Sequence, residues 1–122
     1  MKQVLFVLLA FISFQGFSQE SVKVQEIGLE VMTKDLGHMS WKGAKKACAD
    51  LGDGWRLPTL YEWYKIYEYR DEIGGFGIYY DYWSSSEYNK KYEHAWYLYF
   101  AVGRANEAHK SRDNCVRAVR DL

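Results

Sequence analysis

Several residue types are scarce in this chain. It has one proline, Pro58, two cysteines, Cys48 and Cys115, and three histidines, His38, His94 and His109, in 122 residues. The histidines and cysteines are far apart and form no C-x2-C or H-x3-H pair, so the spacing that holds zinc is missing and no metal is expected. No run of acidic residues at alternate positions supplies a calcium loop. Sixteen basic residues balance sixteen acidic ones, so there is no global field to attract nucleic acid or an anionic membrane. The longest apolar run, Val4 to Ile12, is too short for a bilayer span of about 20 residues, so no transmembrane segment is expected. Ser84–Ser86 lack a G-x-S-x-G elbow, and Glu62, Glu87 and Glu93 are carboxylates of no particular pattern. No reaction, catalytic residue or cofactor is therefore expected.

Aromatic residues are abundant at 18%, with eleven tyrosines and five tryptophans. That exceeds what a core of this size needs, so some rings are expected on a sugar-binding or protein-binding surface.

Residues 1–19 have one positive charge, Lys2, then the apolar run, then Gly16 and Ser18 placed as −3 and −1 of a cleavage site. This is the layout of a secretory signal peptide; an N-terminal anchor or a buried helix is the alternative. The expected organisation is a leader over 1–19 and one domain over 20–122, exported to the periplasm, cell surface or medium. Two cysteines in an oxidising compartment read most simply as one disulfide, worth about 4 kcal/mol in the chain-entropy account. Two buried free thiols are the other reading.

Along the chain, residues 20–25 read as a polar lead-in. Ile27, Leu29 and Val31 alternate as in a strand or a short hairpin. Ser40 is placed to cap a helix whose apolar stripe is Trp41, Ala44, Cys48 and Leu51, with Lys42, Lys45, Lys46 and Asp50 on the wet side. Thr59 and Glu62 form a capping box for a second helix that ends at Ile73 and the glycines at 74–75, with Leu60, Trp63, Tyr64 and Tyr67 on one face. Between the helices, "GWRLPT" is a connector in which Arg56 either bonds local carbonyls or lies exposed. "AWYLYFAVG" is the clearest strand, with Trp96, Leu98 and Phe100 opposite Tyr97 and Tyr99. "ANEAHKSRDN" is a loop or exposed edge strand, and "CVRAVRDL" a closing strand. The order of elements is α+β.

The block "SWKGAKKAC" (40–48) resembles the first-helix signature of C-type-lectin-like domains. "GWRLPTLYEW" (54–63), "YWSSSE" (82–87), "AWYLYFAVG" (95–103) and "VRAVR" (116–120) are together similar to the Lcl C-terminal domain family of collagen-like bacterial adhesins. The resemblance implies a C-type-lectin-like fold: two helices on a twisted, mainly antiparallel sheet, with Cys48 of the helix bonded to Cys115 near the chain end. It implies exported or surface ligand-binding proteins, with sulfated glycosaminoglycans as one ligand class, and a homo-oligomer such as a trimer. Two departures stand out. The E-P-N-like and W-N-D motifs of calcium-dependent lectins are missing, and Ala118 stands where many relatives have the second cysteine. Formylglycine-generating oxidases share a lectin-like fold and the "RLPT-x2-EW" block, but their close reactive cysteine pair is not here.

On this reading Trp41, Trp55, Arg56, Pro58, Trp63, Trp83 and Trp96 are structural. The expected ligand surface is Tyr88, Asn89, Lys90, Lys91, Tyr92, His94, Arg104, Asn106, His109, Lys110 and Arg112, a basic and aromatic set able to meet sulfate or carboxylate. The alternative is a solvated loop surface balanced by Glu87, Glu93 and Glu107. The expected function is calcium-independent recognition of an anionic, possibly sulfated glycan or a partner protein, with a structural role in surface assembly as the alternative and a cryptic enzyme of the formylglycine-generating type as the third reading.

Overall fold

A computed structural model describes residues 20–122. The expected leader, 1–19, lies outside the described residues. Among the described residues eight strands and three helices follow one another: β1 (Ser21–Val24), a 3-10 turn (Gln25–Ile27), β2 (Leu29–Met32), β3 (His38–Met39), α1 (Trp41–Asp50), α2 (Leu60–Glu68), α3 (Arg70–Ile73), β4 (Asp81–Glu87), β5 (His94–Tyr99), β6 (Arg104–His109), β7 (Asn114–Cys115) and β8 (Val119–Asp121). The polar lead-in is thus a strand, β1, antiparallel to β2 with Val22 opposite Val31.

The strands form a three-stranded sheet, β1-β2-β8, and a five-stranded sheet, β3-β7-β4-β5-β6. Pairing is antiparallel except between β4 and β7, where Tyr82 meets Cys115. The predicted closing strand is therefore two short ones in different sheets, and β6 is an edge strand as one of the two readings of 105–114 has it.

Both faces of the larger sheet are covered. Tyr82 and Leu98 belong to one core cluster with Trp63 and Ile66 of α2; their neighbours Trp83 and Tyr97 belong to another with Trp41, Ala44 and Cys48 of α1. Adjacent strand residues point to opposite faces, so α1 lies on one side of the sheet and α2 on the other. Buried indole N–H groups find backbone acceptors, as buried tryptophans must: Trp41 donates to the Ser84 carbonyl at 2.8 Å, Trp63 to Trp83 at 3.0 Å and Trp83 to Met39 at 2.9 Å. Trp55 and Pro58 are also buried, while Trp96 is only half-buried, its ring edge-on to Tyr88 at 5.1 Å.

Both helix starts are capped as the sequence predicts: the Ser40 hydroxyl accepts from the Gly43 amide, and Thr59 and Glu62 exchange both bonds of a capping box. The second helical stretch breaks at Tyr69 into α2 and α3. The buried residues are Trp63 and Ile66 of α2 and Ile73 of α3, whereas Tyr64 is 44% exposed. Arg56 does more than bond carbonyls. Its guanidinium meets Glu62 through two bonds, 2.7 and 2.9 Å, and Asp121 at 2.7 Å, joining the connector to α2 and β8.

The expected disulfide does not form. Cys48 and Cys115 are both free and buried. Cys48 packs in the α1 cluster and Cys115 in the α2 cluster, so the sheet stands between them. Alternation along the closing segment explains this: Val116 and Ala118 share the cluster of Cys48, and Cys115 and Val119 take the other. Burial pushes each thiol up to about 12, that of Cys115 with help from the Asp35 charge.

Candidate functional site

The site is organised around the start of α1. Trp41 is fixed at three points: its amide donates to the Lys110 carbonyl at 2.9 Å, its indole N–H to Ser84, and Ser40 caps the turn. Lys45, one turn on, has its ammonium 4.4 Å from the Trp41 ring centre, and Lys110, from the segment after β6, is also 4.4 Å from it. Such placements are favourable cation–π contacts. Lys110 further bonds Glu87 at 2.6 Å and the Tyr92 carbonyl at 3.2 Å. The Lys110 ammonium in turn holds the exposed Glu87 carboxyl below its ordinary value.

These groups line an open cleft of about 820 Å³ that also takes in Lys42, Tyr92 and His109. Tyr92 is 89% exposed. His109 is held by Glu93 at 3.0 Å and Ser111 at 2.8 Å. Among the described residues, neither Lys42 nor Lys45 has a carboxylate partner within ion-pair distance. The first turn of α1 has no acidic residue. Its helix dipole already presents positive charge there, so the cleft combines lysines with a helix start of the same sign.

The predicted ligand residues are divided among four places. Tyr92, His109 and Lys110 line the Trp41 cleft. Arg104 and Asn106 line a second cleft, of about 560 Å³, with Asp81, Tyr97 and Tyr99. Arg112 borders it, bonded to Asp81 at 2.8 Å and over the Tyr97 ring at 5.2 Å. Burial pushes the Asp81 carboxyl up, and the Arg112 charge only partly offsets this. Tyr88 packs on Trp96, and His94 is bonded to Glu107 with its ring 5.4 Å from that of His109. Asn89, Lys90 and Lys91 occupy the exposed turn between β4 and β5.

Sequence reasoning missed Lys42 and Lys45, read as the wet side of α1, and Trp41, read as core alone. One signal was available: lysines in a helix's opening turns with no acid beside them run against the usual charge preference there. Asp81, Tyr97 and Tyr99 had no such signal, because only strand pairing brings them beside Arg104.

Among the described residues no group of three or more His, Cys, Asp or Glu side chains is arranged to hold a metal. No helix among them is long and apolar enough to cross a membrane.

The architecture is that of a C-type-lectin-like domain. It is similar to the crystal structure of botrocetin, with a TM-score of 0.61 over 84% of this chain and 96% of that one at 11% identity. It is likewise similar to a chain of the von Willebrand factor A1 domain–botrocetin complex, with a TM-score of 0.56, the same coverage and 10% identity. The sequence pattern of the Lcl C-terminal domain matches residues 19–120, and the chain belongs to that family. No curated protein gives a significant match to the sequence.

Proposed function

We propose that this domain is a ligand-binding module that takes an anionic ligand, without calcium, in the cleft around Trp41. One observation carries the proposal: Lys45 and Lys110 both approach the indole of Trp41 at 4.4 Å, with Lys42 in the same cleft. Cations brought together on one ring repel each other, and among the described residues only Lys110 of the three has a carboxylate partner, Glu87. A bound sulfate or carboxylate group offsets that repulsion and gains charge-assisted hydrogen bonds. The exposed ring of Tyr92 adds a stacking surface at the rim. The botrocetin complex supports the reading at the level of fold, since there a chain of this architecture is bound to another protein. Export is part of the proposal and rests on the leader-like pattern of residues 1–19.

The test is titration of the purified domain with a heparin hexasaccharide and with an acidic peptide in the presence of EDTA, followed by tryptophan fluorescence. Binding of at least one should survive the chelator and weaken as salt rises. The double substitution Lys42→Ala with Lys45→Ala should cost roughly tenfold or more in affinity, the scale of one or two lost charged hydrogen bonds. Undiminished binding by that variant would remove the cleft from consideration.

A further inference from the structure

We infer that the ligand of this cleft is a protein segment, in which an acidic residue is followed about four positions away by a large apolar one. This rests on the anionic-ligand reading above and goes beyond it by choosing between glycan and protein.

The Trp41 cleft does not end at Lys45. That residue also lines a second pocket, of about 250 Å³, walled by Ala49, Trp55 and Leu57 with Arg56 and Ser85 at its edges. Trp41, Lys45 and Ala49 are spaced by four, so they follow one another along a single face of α1. The two recesses therefore follow one another along the helix with Lys45 shared between them, and together they make up the proposed groove.

The groove's ends differ in chemistry. At the Trp41 end, Lys42, Lys45 and Lys110 supply positive charge. At the Ala49 end the walls are Ala49, Trp55 and Leu57, and the guanidiniums nearby are already paired, Arg56 with Glu62 and Asp121 and Arg120, over the Trp55 ring, with Glu30, which leaves an apolar recess. A uniformly sulfated glycan offers nothing hydrocarbon enough to fill that recess and would have to desolvate charge beside it. A peptide can place a carboxylate at one end and an aromatic or aliphatic side chain at the other. The distance suits it: eight residues of helix, from 41 to 49, rise about 12 Å, the length of about four extended residues at 3.3 Å each.

The test uses the folded domain and three ligands: an acetylated peptide with the core Glu-Glu-Ser-Gly-Gly-Phe, the same peptide with Ser in place of Phe, and a heparin hexasaccharide. The Phe peptide should bind roughly tenfold or more tighter than its Ser counterpart, as expected for burial of one aromatic side chain. Ala49→Gln narrows the recess from an exposed helical position that glutamine suits. It should bring the two peptides to the same affinity while the melting temperature stays unchanged. Equal binding of both peptides to the native domain overturns the inference, as does a Phe preference that persists in Ala49→Gln. A hexasaccharide that binds more tightly than either peptide also overturns it and leaves the anionic cleft standing. Failure of all three ligands, in salt low enough to leave charge unscreened, overturns the anionic reading and this inference together.

Discussion

Replacing Arg117 with methionine should come close to unfolding the domain. Arg117 is completely buried. Its Nε donates to Asp35 at 2.8 Å, Nη1 to the carbonyls of Met32 at 2.8 Å and Gly74 at 3.1 Å, and Nη2 to that of Gly75 at 2.6 Å. The guanidinium also lies 4.1 Å from the centre of the Phe76 ring. It thus ties β2, the 33–37 loop and the segment after α3 to the end of the chain. Methionine keeps much of the volume but leaves the Asp35 carboxylate without its cation, bonded by Tyr82 at 2.9 Å, and three carbonyls without their donor. Removing one partner of a buried ion pair costs about 3–5 kcal/mol, a large part of the 5–15 kcal/mol that stabilises a typical domain. For a domain of this size each kcal/mol moves the melting temperature by about 4–8 °C, so a fall of roughly 15–30 °C is expected by circular dichroism. Adding Asp35→Asn should return part of the loss, with a coupling of about 1–3 kcal/mol in a double-mutant cycle. A fall of less than about 5 °C in Arg117→Met alone would refute the argument that this side chain is a structural tie.

The thiols give a second expectation. Ellman's reagent should find two free thiols per chain after unfolding without reductant and almost none in the native state at neutral pH, because both are buried and held near 12; a cross-linked Cys48–Cys115 peptide in a non-reducing digest would overturn the placement of the two residues on opposite faces. Acid should loosen the Arg56 tie. Burial works against ionisation of Glu62, but the bonds from Arg56 and Thr59 outweigh it and hold its carboxyl below its ordinary 4.5. The folded state therefore binds fewer protons than the unfolded one in that range. Its stabilisation is complete above about 4.5 and is lost as the pH falls through the lower folded value. Glu62→Gln should flatten that limb of the urea stability profile between pH 5 and about 2, and an unchanged slope would count against the pair.

Much of the local structure was legible because its causes are local. The Ser40 cap, the Trp41–Ala44–Cys48 stripe and the Thr59–Glu62 box each need only a few neighbouring residues, and each is found where the spacing puts it. The alternation in β5 was legible too, but not which of its faces would be covered: both are, because a helix lies on each side. Trp96 remains half-buried because its position on the α2 side is beyond that helix and faces Tyr88. The expected ligand residues between 88 and 112 are grouped by the family resemblance and by their basic and aromatic composition. Strand pairing divides them, since neighbours along β5 and β6 point to opposite sides of the sheet.

By itself the sequence determined that this is an α+β domain with two capped helices, an aromatic-rich sheet and a Lcl-type pattern. Such features follow from periodicity and from side chains bonding to backbone within a turn. Tertiary structure alone decided that Cys48 and Cys115 stay apart, that Arg117 is an interior tie, and that Lys110 joins Lys45 on Trp41. Each of these depends on which face of a strand a residue occupies and on which distant segment lies against it. A shift of one residue in register reverses every such assignment, and nothing in the nearby sequence records that choice.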